Sequence, residues 1–404
     1  MLDYKTLTQK YGSPLYVYDL DKVDFAYKLL KEALPQGSII YYSLKANPNP
    51  HITRHLLDLG CYAEISSRGE LEVLLEINAD LSRCLYTGPG KTEHELLYAI
   101  ECNVTFFSVE SIEELKLLNG IAMKTEKVLY VLFRINPSSN TGRASIKMTG
   151  VPSQFGFDED EIINIPNSIY KNKNIKFMGF HIYNGSNFKD ENELKENFIF
   201  ALETIDRLQK KLKIEAKVID IGGGFKAPFG KKESLINYSS IKSEIVTKIN
   251  KIFKNKPKLA FESGRYLTAL SGCLVGTVLS NKVSRGKRYC IVDFGINNLG
   301  GMAGLKRVPT IGLELYSADN IRDIVEDVML VGPLCTPLDY LAKGINMPNF
   351  KQGDIVFVPN VGAYGLTASL IGFLSREIPT ELIILNDRVR YINKISLKRE
   401  ISNE

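Results

Sequence analysis

The sequence predicts an α/β protein, a (β/α)8 barrel followed by a mostly antiparallel β domain. Three observations predict it. From about Ser38 short apolar runs alternate with amphipathic helical stretches, eight strand-like runs occur before Arg265, and beyond Arg265 strands and turns continue without long helices between them. At 404 residues the chain has room for about two domains.

The eight runs are Ile39 to Ser43, Tyr62 to Ile65, Arg83 to Tyr86, Val104 to Ser108, Val128 to Ile135, Ile175 to Ile182, Ala216 to Ile221 and Lys258 to Glu262. Helical patterns such as Lys91 to Ile100, Ser111 to Leu118 and Asn192 to Leu212 separate them, as a barrel of β/α units requires. An open doubly wound sheet is the alternative with the same periodicity. After Arg265 the strand-like runs are Lys287 to Phe294, Val328 to Val331, Asp354 to Val358 and Glu381 to Leu385. Leu15 to Tyr18 also reads as a strand, with a helix from about Leu20 to Leu34, and this first segment is expected to pack with the later sheet. The expected boundaries are 1–25 for that segment, 26–265 for the barrel and 266–404 for the β domain.

Hydrophobic residues make up 44% and charged residues 24%, an ordinary globular composition that excludes disordered and collagenous chains. The net charge of +5 is too small to indicate a nucleic-acid partner. The N-terminus lacks a basic region leading into an apolar run, and no apolar stretch reaches the length of a membrane span. Cys61, Cys84, Cys102, Cys273, Cys290 and Cys335 form no C-x-x-C pair, so neither a disulfide framework nor a zinc site is suggested, and reduced thiols in a cytoplasmic protein fit the pattern. His51 and His55 have i, i+4 spacing without the glutamate of a zinc-hydrolase helix and read as a polar helix face. Asp158 to Glu161 reads as a helix start, and the basic run Lys248 to Lys258 as a solvated helix end. No nucleophile elbow, phosphate loop or dinucleotide fingerprint stands in a fitting context.

A (β/α)8 barrel builds its site from the loops after its strands, so polar residues there receive a chemical reading first. Lys45 follows the first strand, His181 ends the sixth, Gly222-Gly223-Gly224 follows the seventh and Glu262-Ser263-Gly264-Arg265 the eighth. A desolvated lysine can form a Schiff base with an aldehyde, and a glycine-rich turn offers backbone N–H groups to a phosphate. An aldehyde that carries a phosphate would use both, and a carboxylate at Glu262 could keep a pyridine nitrogen protonated, which are the needs of pyridoxal phosphate.

These residues carry a family resemblance. Lys45 in Y-Y-S-L-K-A-N, His181 in F-H-I, the Gly222 to Gly224 run, E-S-G-R at Glu262 to Arg265, G-P-L-C-T-P-L-D from Gly332 to Asp339 and G-A-Y-G at Gly362 to Gly365 resemble the alanine-racemase-fold decarboxylases, the group of diaminopimelate and ornithine decarboxylases. The resemblance implies that Lys45 holds pyridoxal phosphate, His181 stacks on its ring, and Gly222, Gly223, Gly224, Ser186 and Tyr364 hold the phosphate. It further implies that Glu262 pairs with the ring nitrogen and that Gly264 and Arg265 assist at the cofactor. Members of the family are homodimers with shared sites, so Cys335 and Asp339 would reach the neighbouring subunit's substrate, Cys335 as the acid that protonates the carbanion. From the residues alone Cys335 is one more small core hydrophobe. One stretch departs from the family pattern: the usual H-I-G-S-Q is His181-Ile182-Tyr183-Asn184-Gly185-Ser186-Asn187, with two extra residues before Gly-Ser.

The resemblance also bears on the reaction. Racemases of this fold place an arginine at the pyridine nitrogen, whereas Glu262 implies decarboxylation, and a non-catalytic carrier of the cofactor would need neither Cys335 nor a second domain. Diaminopimelate decarboxylases usually carry an arginine and a proline shortly after the V-D-x-G-M strand and a glutamate after the catalytic cysteine, to hold the substrate's distal charges. Here Val292-Asp293-Phe294-Gly295-Ile296 leads into Asn297-Asn298-Leu299-Gly300-Gly301-Met302-Ala303-Gly304, and Thr336 follows Cys335. Together with G-P-G-K-T at Gly88 to Thr92 and the stretch Ile146 to Gly156, this is similar to the branch that decarboxylates carrier-protein-bound glutamate or siderophore precursors. The expected substrate is a small-molecule or carrier-protein-bound amino acid with a conjugated far end, and the glycines from Gly300 to Gly304 would leave room for the tether.

Overall fold

In the computed structural model residues 3–138, 146–147, 152–163, 165, 173–300, 313–317 and 323–400 are described. The chain divides into two compact units, one of Phe25–Ala227 and Leu235–Leu267, the other of Met1–Asp24, Pro228–Ser234 and Thr268–Glu404.

The first unit is a closed parallel barrel. Its strands are Ile39–Ser43, Tyr62–Ile65, Cys84–Tyr86, Phe106–Val109, Leu129–Asn136, Ile175–His181, Val218–Asp220 and Lys258–Ser263, each paired in parallel with the next. The eighth pairs with the first in the register Ala260 to Ile39 through Ser263 to Tyr42, which leaves no edge and excludes the open sheet. The strands are short and almost wholly buried, which explains why they read as continuous apolar runs. Ile39, Tyr41, Leu85, Leu132, Val218 and Ala260, drawn from five different strands, form one core cluster.

Helix starts follow the capping chemistry of the sequence. Thr92 and Glu95 form a reciprocal capping box at Glu93–Glu101, and Asp190 accepts from Glu193 N at the head of Glu191–Leu212. Helix ends set the strand starts: Asn103 takes a left-handed φ of 70° and Val104 N donates back to Ala99 O at 2.9 Å, so the fourth strand begins only at Phe106. His51 and His55 lie on the helix Pro50–Asp58. The basic run Lys248 to Lys258 begins on the last turns of Ile241–Ile252, where Lys248 pairs with Glu203.

Among the described residues the second unit is a mostly antiparallel sheet of nine strands. Leu15–Asp19 lies inside it, antiparallel to Gly272–Ser284 and parallel to Thr380–Leu385. Leu7, Leu15, Val17, Cys273, Val275, Leu382 and Ile384 close one side of these strands as a core cluster. The segment Pro228–Ser234 joins this unit, where Glu314 N donates to Gly230 O and the Asn360 amide donates to the carbonyls of Lys231 and Glu233. Among the described residues, four strands are absent from the expected set: Gly272–Ser284, the two-residue Tyr316–Ser317, Tyr340–Pro348 and Arg388–Lys394. The first is buried only along its leading half, and the last is an exposed edge rich in basic residues, so neither shows a regular apolar period. Among the described residues no helix is long and apolar enough to cross a membrane.

Candidate active site

The C-terminal ends of the barrel strands bring together most of the predicted residues. Lys45 stands on the short 3-10 turn Leu44–Ala46 directly after the first strand. Its Nζ lies 2.9 and 3.1 Å from the two carboxylate oxygens of Glu64, a buried residue near the end of the second strand. Burial works against ionisation of Glu64, but the Lys45 cation and hydrogen bonds from Ser43 and Thr87 outweigh it and hold the carboxyl below its ordinary range.

His181 and Asp220 end the sixth and seventh strands, Glu262 is the last residue but one of the eighth, and one polar atom of each lies within 4.8 Å of the others. Ser108 Oγ is 2.8 Å from His181 Nδ1, which fixes the ring from the fourth strand. Burial, with the cations of Arg134, Lys45 and Lys91, holds the His181 pKa well below 6.5, so the imidazole is neutral. Burial, reinforced by the carboxylates of Glu64 and Asp220, pushes Glu262 well above the usual carboxylate range, and burial pushes Asp220 up to about 7.

Among the described residues His181 Nε2, Asp220 Oδ2 and Glu262 Oε1 are buried without a hydrogen-bond partner; His181 Nε2 and Glu262 Oε1 are 3.2 Å apart but lack hydrogen-bond geometry. A buried polar atom left unpaired costs about 1–3 kcal/mol, so three in one place mark the seat of a polar ligand. A protonated pyridine nitrogen fits one member of this set: its single N–H can be donated to Glu262 Oε1, and its positive charge favours the ionised carboxyl that burial otherwise disfavours.

The glycine turn lies beside this cluster. Gly222 takes φ +68°, and a Cβ there would lie 2.7 Å from the Tyr183 ring and 2.9 Å from Ile182 O; on Gly223 it would lie 2.1 Å from Glu262 O. Gly222 N–H is donated to Asp220 Oδ1 at 2.8 Å, a hydrogen bond within the turn itself. Gly264 packs so closely on the first strand that a Cβ would lie 2.5 Å from the Ala46 side chain, and Arg265 opens the short helix Arg265–Thr268. Ser186 pairs its backbone with Ile146, which draws the departing stretch after His181 into a two-stranded ribbon.

Tyr364, Cys335 and Asp339 lie in the β unit. Tyr364 has a left-handed φ of 55° in the turn whose Val361 N and Gly362 N donate to Gly272 O and Ala269 O, an uncommon conformation for a tyrosine. Cys335 is exposed on an irregular loop, so it is no core hydrophobe. Asp339, expected at a neighbouring subunit's substrate, is buried within its own chain. It is 3% exposed, and its oxygens accept from Ile296 N at 2.9 Å and Leu334 N at 2.8 Å, which ties down the Cys335 loop from within. Asn297 and Asn298 are buried, and Asn298 O accepts from Tyr16 OH at 2.7 Å. Of the stretch Gly300 to Gly304, the residues after Gly300 lie outside the described residues, as does part of Ile146 to Gly156.

Sequence reasoning missed Glu64, Ser108, Asp220 and the buried pair of Arg134 with Glu110, whose Nη1 and Oε1 are 2.8 Å apart. A signal was present for three of them: a lone charged residue inside an apolar strand run, as in Tyr-Ala-Glu-Ile, Val-Ile-Asp-Ile and Leu-Phe-Arg-Ile.

Known proteins resemble this chain over nearly all of its length. The family model for the pyridoxal-binding domain of pyridoxal-dependent decarboxylases matches residues 20–269. The L-glutamyl-[BtrI acyl-carrier protein] decarboxylase of Niallia circulans is 31% identical over 96% of this chain and 92% of that protein. The diaminopimelate decarboxylase of Aquifex aeolicus is 30% identical over 96% of this chain and 91% of that one. The crystal structure of Helicobacter pylori diaminopimelate decarboxylase complexed with L-lysine superposes with a TM-score of 0.84 at 28% identity, covering 96% of this chain and 95% of that chain. With a family model over most of its length, relatives over nearly all of it and a cluster of unpaired buried groups suited to a pyridine, this chain belongs to the pyridoxal-dependent decarboxylases.

Proposed function

We propose that the chain removes the α-carboxylate of an amino acid whose far end is conjugated to a carrier protein or a small acid. The observation that carries this reading is neutral Thr336 directly after Cys335, where the resemblance places the glutamate that holds a free distal amine. Thr336 follows Cys335, and Asn297 and Asn298 are buried, with Asn298 holding its own turn through Gly295 N and Tyr16 OH. A desolvated charge without a partner costs several kcal/mol, so a free distal ammonium beside Thr336 would bind poorly. The relative that acts on a glutamyl carrier protein supports the same direction.

In this reading Lys45 holds pyridoxal phosphate, Glu262 its ring nitrogen, Gly223 and Gly224 with Tyr364, Ser186 and Arg265 its phosphate, and His181 lies against the ring. When bound, the cofactor supplies the electron sink that takes up the charge left by departing carbon dioxide. Cys335 then delivers a proton to the α-carbon of a substrate in the partner subunit's site, and its exposure on a surface loop beside Leu338, 75% exposed, suits a loop that reaches a second copy of the chain.

The test is a decarboxylation screen of free diaminopimelate, ornithine, lysine and arginine beside glutamyl-carrier and citryl-amino-acid conjugates. Turnover confined to the conjugates is expected. Efficient turnover of free diaminopimelate would restore the lysine-pathway reading, which the relative from Aquifex aeolicus supports.

A further inference from the structure

The two extra residues after His181-Ile182 are built into the site. Ile182 N donates to Asp220 O at 2.9 Å, and Phe188 N donates to Gly224 O at 3.1 Å, so both flanks of the extension are tied to the seventh strand and its turn. Between them Asn184 Nδ2 donates to Asn197 Oδ1 at 2.7 Å, both side chains being buried. The backbone around Tyr183 is therefore fixed, and the position of its ring follows. A Cβ on Gly222 would lie 2.7 Å from ring atom Cδ2, and one on Gly223 3.8 Å from Cε2, so the ring rests on the glycine turn. The Lys45 Nζ lies 6.0 Å from the ring centroid, at the outer edge of cation–π range.

We propose that Tyr183 is a positioning residue for the cofactor: its ring covers the Gly222–Gly224 turn beside Lys45 and slows the loss of pyridoxal phosphate. The proposal rests on the reading that Lys45 and the glycine turn hold the cofactor. A phosphate at the turn is attracted to backbone N–H dipoles, and that attraction weakens when water enters. The ring excludes water from one side of the turn, and its contact with Gly222 keeps the left-handed turn in place. The hydroxyl has no part in this argument, so phenylalanine should serve as well as tyrosine.

The experiment follows cofactor loss from holoenzyme freed of excess pyridoxal phosphate, with a scavenger in the buffer, through the visible absorbance of lysine-linked pyridoxal and through cofactor fluorescence. Tyr183→Ala is expected to lose cofactor about tenfold faster than the wild type, Tyr183→Phe within about twofold of it, and Tyr183→Leu between the two. Wild-type retention by Tyr183→Ala overturns the proposal, and so does a Tyr183→Phe variant that releases cofactor as fast as Tyr183→Ala. If the alanine variant fails to fold, Tyr183→Leu decides, and retention at the wild-type rate overturns the proposal. Lys45→Ala separates the two layers: an absorbance band that survives there defeats the underlying assignment, whereas its loss together with unchanged retention in the Tyr183 variants defeats the proposal alone.

Discussion

Lys45 and Glu64 form a bidentate ion pair, with Nζ at 2.9 and 3.1 Å from the two carboxylate oxygens. Glu64 is anchored in turn by Thr87, whose Oγ1 donates to it at 2.5 Å. The pair has opposite effects on the lysine: it aims the amine, and it favours the ammonium, which cannot attack an aldehyde.

Glu64→Gln should therefore shift condensation with pyridoxal phosphate to lower pH, since the carboxylate that stabilises the cation is gone. The measurement is the growth of the lysine-linked absorbance after adding cofactor to cofactor-free protein across a pH series. An unchanged midpoint would show that Glu64 only packs against Lys45.

Asp220 makes stability depend on pH. Burial pushes it up to about 7, so between pH ~4 and 7 the folded chain keeps a proton that the unfolded chain has released. The contribution of this group is complete below its unfolded pKa and is lost as pH rises through about 7. Asp220→Asn keeps the acceptor for Gly222 N and removes the titration. In cofactor-free protein the Tm of the variant relative to wild type should be higher at pH 8 than at pH 5, while His181 contributes alike to both proteins. A constant difference in Tm would contradict the shift.

The buried pair of Arg134 with Glu110 stands next to the site, Arg134 being the register partner of His181. Glu110 also accepts from Gly156 N at 3.0 Å, and the Arg134 guanidinium lies 4.7 Å from the Phe155 ring centre. Arg134→Met leaves a carboxylate buried without its cation and should cost about 3–5 kcal/mol, much of it recovered when Glu110→Leu is added. Chemical denaturation of the single and double variants measures both terms, and a double variant no more stable than the single one would mean that the charge is not the issue.

How much of this was legible follows from physical cause. The eight barrel strands are buried on both faces, so each reads as an apolar run, and Lys45, His181 and Glu262 stand out because they interrupt or end such runs. Ser108 is a small hydroxyl in a strand, and nothing local distinguishes one that meets a histidine 73 positions away. The strand Arg388–Lys394 escaped because its pairing is set by Thr380–Leu385, and an exposed edge need not alternate. Asp339 was placed by analogy with a motif, and a motif conveys neighbours in sequence but not which way a carboxylate turns.

Shared sites can be tested by exchange. Mixing inactive Lys45→Ala chains with inactive Cys335→Ala chains should restore roughly a quarter of wild-type activity, because random pairing makes half of the dimers mixed, each with one intact site. Absence of recovery despite proven subunit exchange would place Lys45 and Cys335 of one chain in one site.

Asp339 supplies the last prediction, because its geometry separates two roles with different readouts. Its two oxygens each accept a backbone N–H, from Ile296 and from Leu334, and Cβ atoms on Gly295 or Gly332 would lie 2.4 Å from them, so the carboxylate fills the space between two turns. Arg376 holds the same loop from outside, its Nη2 donating to Pro333 O at 2.9 Å. Asp339→Asn preserves shape but turns an NH2 group toward one of the backbone donors, which leaves that N–H unpaired and should cost about 1–3 kcal/mol. The loop that carries Cys335 then loosens. Tm should fall, alkylation of Cys335 by a small thiol reagent should accelerate, and kcat should fall more than KM rises, since the group proposed as proton donor rather than substrate binding is disturbed. A residue that touches substrate behaves in the opposite way, so a several-fold rise in KM with unchanged Tm and unchanged thiol reactivity would return Asp339 to the substrate and mean that its buried hydrogen bonds do not persist in the assembled enzyme.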